Sequence, residues 1–146
     1  MASEQCPLTP LDEFQRQASI LRAVKTIAVV GMSPNPDRPS HEVGLFLRDR
    51  GYRVIPVHPA AAEIGGLKVA RTLTEAAQMA GGIDLADLFV SGDRLVAIVE
   101  EAHRLGIPRI WFQPGAEHAG AEQQARAYGM EVVTRACTMA VLKRLG

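Results

Sequence analysis

The residues best suited to chemistry cluster between Gly31 and Ser40, in a stretch that joins an apolar run to a helical segment. Gly31 permits a tight exit from an extended strand. Ser33 and Ser40 offer hydroxyls, and Ser40 is placed to cap the helix that follows. A helix N-terminus presents free amide groups and a partial positive charge, which together favour a phosphate. Arg38 adds a fixed charge and forked donors suited to phosphate oxygens. An ordinary surface turn with a solvated arginine has the same composition. The buried strand before the loop tips the reading towards phosphate binding, because ligands of open α/β sheets lie beyond the carboxyl ends of strands.

The other reactive side chains are scattered. Cys137 follows a strand and offers a thiol, but a free cysteine behaves more often as a small buried hydrophobe, and that reading is favoured. His41 lies in the first helical turn after the loop, where a surface position is favoured over a phosphate contact or an acid role. His58, at the exit of the second strand, fits adenosine contact and simple loop packing equally well. His103 and His118 share no ligand spacing, and Glu100 and Glu101 read as solvated. Trp111 is expected in the core rather than stacked on a ligand. Gln113 and Gly115, at the carboxyl end of the fourth strand, have the better positional claim to the site. No catalytic residue and no metal ligand is assigned.

Two nucleotide-binding signatures are missing. A nicotinamide fingerprint needs three spaced glycines after the first strand and an acidic residue at the end of the second. This loop holds prolines instead, and the second strand ends at Val57, His58 and Pro59 without a carboxylate for a ribose diol. No P-loop occurs either, since no glycine-lysine pair is followed by serine or threonine.

The elements that must position these residues recur as strand-then-helix units. A helix is predicted over 11–24, with Thr9 as cap before Pro10 and an apolar stripe of Leu11, Phe14, Ala18, Leu21 and Val24. Thr26 to Gly31 reads as a strand buried on both faces. A helix from Ser40 to Arg50 leads to a second strand, Tyr52 to Val57. A long loop rich in alanine and glycine and a short helix from Leu73 to Met79 precede a third strand, Ile83 to Val90. Then come a helix from Asp93 to Leu105, a strand from Arg109 to Gln113 and a helix from Ala119 to Tyr128. A strand from Met130 to Thr134 and a closing helical stretch from Met139 to Leu145 complete the pattern. This alternation predicts a Rossmann-like α/β fold: a doubly wound, parallel, five-stranded sheet in three layers. The expected strand order is third, second, first, fourth, fifth, in one domain over 1–146.

Composition narrows the function. Lysine plus arginine equals aspartate plus glutamate at 16 each, so the basic excess of a general nucleic-acid binder is missing. Cys6 and Cys137 lie at opposite ends without metal-type spacing or the density of a secreted disulfide scaffold. No basic segment precedes an apolar run at the N-terminus, and no apolar stretch approaches membrane-spanning length. These features point to a cytoplasmic protein with a small-molecule ligand and neither nucleic acid nor membrane as partner. They leave its oligomeric state open.

The stretch from Gly31 to Pro59, GMSPNPDRPSHEVGLFLRDRGYRVIPVHP, resembles the signature of small stand-alone CoA-binding domain proteins. These are similar to the CoA-binding domain of the succinyl-CoA synthetase alpha subunit. The likeness continues through Gly66, Leu73, Ile83, Asp84, Asp87, Leu88 and Phe89, then Trp111 to Gly115, and reaches Cys137. By that resemblance, the phosphates of coenzyme A meet Ser33, Arg38 and Ser40, and its adenosine approaches Val57, His58 and Pro59. The pantetheine arm lies at Phe89, Val90 and Ser91. Relatives often carry arginine where this chain has Val90, and aspartate-arginine before the late cysteine where it has Arg135 and Ala136.

The synthetase's chemistry needs a further domain with a phosphorylated histidine, and the matched region contains none. The reading is therefore a non-catalytic module that binds coenzyme A or an acyl-CoA. Two alternatives stay open: an NAD(P)-binding regulatory or redox-sensing module, and an acyl-CoA thioester enzyme using Cys137.

Overall fold

A computed structural model describes residues 10–146, so the Thr9 cap and Cys6 lie outside the described residues. Helix α1 (Pro10–Ala23) leads into β1 (Thr26–Val30), α2 (Pro39–Asp49) and β2 (Arg53–Val57). A small hairpin of β3 (Glu63–Ile64) and β4 (Leu67–Lys68) precedes α3 (Leu73–Ala80) and β5 (Leu85–Leu88). The chain ends with α4 (Arg94–Arg104), β6 (Arg109–Phe112), α5 (Ala119–Ala127), β7 (Glu131–Thr134) and α6 (Thr138–Leu145). The principal sheet has five strands, every pairing is parallel, and its order is β2-β1-β5-β6-β7.

Alternate residues along the strands feed two cores. Ala28, Val30, Ala86, Leu88, Ile110 and Phe112 pack against α3, α4 and α5. Ile27, Val29, Leu85 and Trp111 pack against α1, α2 and α6 on the other face. The expected three-layer Rossmann-like arrangement is present. Trp111 is fully buried, and its indole N–H donates to the Ala136 carbonyl at 2.8 Å. It belongs to the core, as expected.

The strand order differs from the expected one. The third principal strand, β5, pairs with β1 rather than lying outside β2. The outer edge of β2 is already covered: Ala70 forms a parallel bridge with Val57, its amide donates to Pro56 and its carbonyl accepts from His58, both at 2.9 Å. Pro56 cannot donate to a ladder and suits such a strand at the sheet's edge. The chain therefore passes α3 over one face and inserts β5 on the far side of β1. The four residues of β5, Asp87 among them, are all buried. Asp84, just before it, accepts from the Lys25 and Thr26 amides at 2.9 and 3.0 Å and ties the entry of β5 to the entry of β1.

This order moves the switch point to the gap between β1 and β5, where successive connections depart in opposite directions. Gly31 sits at that gap with φ of 87°. A Cβ placed there would lie 2.8 Å from Val90 Cγ1, closer than two carbons can pack. Gly44 is a second close approach, because a Cβ on α2 would meet the buried Met32 sulfur at 2.4 Å.

Replacing Gly31 by alanine adds left-handed backbone strain of about 1–2 kcal/mol to the Val90 clash. The unfolding midpoint of Gly31→Ala is expected to fall by roughly 4 °C or more, read by thermal melting. An unchanged midpoint would mean that β1 and β5 part freely at this end.

Candidate functional site

Two cavities open at the carboxyl edge of the sheet, one on each face, and Gly31 lines both. The first, about 580 Å³, brings together Gly31, Ser33, Arg38, Ser40, Phe89 and Ser91 with Gln113, Gly115 and Cys137. The second, about 330 Å³, lies on the α3–α4 side and is walled by Val57, Pro59, Val90 and Ile98. Of the twelve residues expected to contact the ligand, eleven line one cavity or the other. His58 lines neither: its Nδ1 accepts from the Ala60 and Ala61 amides at 3.1 and 2.9 Å. The ring folds back on its own loop.

The loop after β1 is shaped by its own side chains. Ser33 Oγ accepts from the Asn35 amide, and Asn35 Oδ1 accepts from the Asp37 amide, both at 3.0 Å. Arg38 is the N-cap of α2 and no side chain caps that helix, which corrects the role expected of Ser40. Pro39 fixes φ and starts the helix one residue earlier, so Ser40 falls inside it. There Ser40 is 7% exposed, and its Oγ accepts from the Ser33 amide at 2.9 Å. Ser40 thus pins the loop onto the helix. The exposed Arg38 is the charged donor that the loop offers outward.

The histidines serve local structure. His41 Nδ1 lies 2.8 Å from the Ser33 carbonyl, which can only accept, so the ring donates there. His103 stacks on Tyr128 with centroids 3.8 Å apart. His118 caps α5 through Nδ1 and turns Nε2 towards Asp93 at 3.1 Å. Among the described residues, no group of three or more His, Cys, Asp or Glu is disposed to hold a metal.

One feature behind the wall of the first cavity has no counterpart in the sequence reading, and a second departs from the reading favoured there. Asp87 is fully buried in the central strand. Its Oδ1 accepts from Gln113 Nε2 at 2.7 Å, and its Oδ2 from Thr138 Oγ1 at 3.2 Å. Gln113 Nε2 also donates to Thr138 Oγ1 at 2.8 Å, closing a triangle across β5, β6 and α6. Gln113 Oε1 has no partner among the described residues. A carboxylate inside an apolar strand was the available signal, since burial obliges such a group to find partners. The second feature is Cys137. It is half-buried at the start of α6 and forms part of the cavity wall, rather than sitting wholly in the core.

Burial drives the Asp87 carboxyl up to about 7 from an ordinary 3.8, opposed only in part by the Gln113 and Thr138 hydrogen bonds. The unfolded chain releases this proton near 3.8 while the folded chain keeps it to about 7. Between those values the folded state binds more protons, so this group lowers stability as pH rises. The loss is on the order of 4 kcal/mol, at about 1.4 kcal/mol for each tenfold change in proton affinity. Asp87→Asn removes the titration. Its stability relative to the parent protein is expected to climb from pH 4 to 7.5 in denaturant melts, whereas a constant difference across that range would contradict the assignment.

The family model described as CoA binding domain matches residues 25–143. The Bacillus subtilis (strain 168) protein YneT is 36% identical over 118 residues, which span 81% of this chain and 85% of that one. A hypothetical protein from Pyrococcus horikoshii OT3 superposes with a TM-score of 0.86 at 32% identity, covering 95% of this chain and 94% of that one. The apo dinucleotide forming acetyl-coenzyme A synthetase 1 of Ca. Korarchaeum cryptofilum shares the fold, with a TM-score of 0.63 at 23% identity. That likeness covers 74% of this chain and 25% of the synthetase. By this match over most of its length, the chain belongs to the CoA binding domain family.

Proposed function

We propose that the protein is a binding module for coenzyme A or an acyl-CoA, held across the carboxyl ends of β1 and β5. One observation carries the reading: two cavities on opposite faces of the sheet meet at Gly31, beside the loop that presents Arg38. A ligand with an adenosine end, a charged middle and a long flexible arm matches that layout. The adenine ring lies in the second cavity, against Val57, Pro59 and Val90. The diphosphate crosses Gly31, within reach of Ser33, Arg38 and the start of α2, whose dipole favours an anion. The arm follows Phe89 and Ser91 through the first cavity towards Gln113, Gly115 and Cys137. Gln113 Oε1, buried and unpartnered, is an acceptor that an amide N–H of the arm would satisfy.

Binding, rather than turnover, fits the side chains present. None of the four histidines lines either cavity among the described residues. Cys137 on the first wall is the one specific observation that favours thioester chemistry instead. Steady acyl-CoA hydrolysis that vanishes in Cys137→Ala would replace a binding module with an enzyme.

Competition titration at fixed salt separates the ligand classes, since phosphate contacts weaken with ionic strength. Coenzyme A is expected to displace NAD, and tighter binding of NAD would overturn the reading. Arg38→Ala is expected to weaken coenzyme A about tenfold or more, with the fold intact, as a hydrogen bond to a charged group contributes roughly 1.5–3 kcal/mol. Unchanged affinity by calorimetry would place Arg38 in solvent.

A further inference from the structure

The second cavity holds charges that the reading above does not use. Its walls are apolar at Val30, Val57, Leu73, Val90 and Ile98, and three ionisable side chains reach it: Arg71, Arg94 and Glu101. Arg71 follows the segment that bridges β2 through Ala70, and its backbone amide donates to Glu75 Oε1 at 3.1 Å. Arg94 is the first residue of α4. Both arginines are exposed, and neither guanidinium makes a hydrogen bond or ion pair with another described residue. Glu101 is already engaged, accepting from the Thr74 amide at 2.9 Å and its hydroxyl at 2.6 Å.

Helix energetics do not account for Arg94. A cation in the first turn opposes the helix dipole, and the acidic residue beside it, the N-cap Asp93, has its carboxylate turned to His118 rather than to Arg94. Two free guanidinium groups, on separate elements, therefore border a largely apolar cavity of about 330 Å³. That is a recognition set for a multiply charged anion attached close to an aromatic base.

We infer that Arg71 and Arg94 hold the 3′-phosphate on the adenosine ribose of coenzyme A, and so set the preference for coenzyme A over NAD. The inference rests on the coenzyme A reading and assigns its specificity. A phosphate monoester carries between one and two negative charges at neutral pH, whereas the same ribose in NAD carries only hydroxyls. Val90, just after β5, brings no charge to the cavity. Arg94, four residues further on, and Arg71 bring charge to the cavity that Val90 lines.

The test is a ligand-by-variant cycle at fixed ionic strength. Coenzyme A, 3′-dephospho-coenzyme A and NADP are titrated into the parent protein, Arg71→Ala, Arg94→Ala and the double variant. Loss of the 3′-phosphate is expected to weaken binding to the parent about tenfold or more. Each single variant is expected to lose affinity for coenzyme A while keeping its affinity for the dephospho form, and the double variant is expected to bind both alike. Because both side chains are exposed, unchanged melting of the variants verifies the fold. Equal affinity of the parent for coenzyme A and its dephospho form would overturn the inference while leaving the coenzyme A reading intact. So would variants that weaken both ligands equally. NADP binding as tightly as coenzyme A would overturn the preference for a 3′-phosphate. Binding of neither coenzyme A nor its dephospho form to the parent would sink the underlying reading, and this inference with it.

Discussion

At the carboxyl end of β1 the backbone passes so close to β5 that position 31 has no room for a side chain: a Cβ there would stand 2.8 Å from Val90. That close approach follows from the strand order. Because β5 inserts beside β1, the connections after β1 and β2 leave towards opposite sides of the gap. The helices that cover the two faces diverge there, and a cavity opens on each side. In the proposed mode the ligand crosses from one cavity to the other at Gly31, which lines both and bears no side chain. Close packing elsewhere supports this geometry, with Met32 filling the space that Gly44 leaves on α2.

Behind the wall of the first cavity, which Gln113 lines, lies a buried polar cluster. Asp87, Gln113 and Thr138 form a hydrogen-bonded triangle at the floor of an otherwise apolar sheet. Burial makes the carboxylate costly, which is why its proton affinity rises so far. In return the triangle locks three elements, β5, β6 and α6, at the edge where the proposed arm lies. Removing one partner alone leaves a buried polar group unsatisfied, so the three are best viewed as one unit. The histidines, which are the usual proton carriers at neutral pH, are committed to caps, stacking and loop geometry.

Much of this was legible in the sequence because it rests on local chemistry. Unbroken apolar runs marked the strands, glycines marked helix ends, and the charged loop after the first buried strand marked the ligand edge. The strand order was not legible. It depends on what covers the outer edge of β2, and the residues that do so, the β3–β4 hairpin and Ala70, lie in a stretch whose composition reads as loop. Asp87 enters the sequence reading only as part of the family likeness, and nothing local marks its role, because its partners are more than 20 residues away. Ser40 was misplaced by one helical position, since Pro39 was read as the end of the loop rather than the start of the helix. Arg71 and Arg94 carry no sequence signal of their own. Only the fold shows that a residue after β4 and one at the head of α4 border the same cavity.

In the proposed mode, one ligand spans both faces of the sheet by crossing Gly31. A crystal structure of the protein with coenzyme A tests it most directly. The expected complex has the adenine against Val57 and Ile98, the diphosphate over Gly31 beside Arg38, and the pantetheine arm directed towards Gln113 and Cys137. A ligand confined to one cavity, with Gly31 left uncovered, would contradict it.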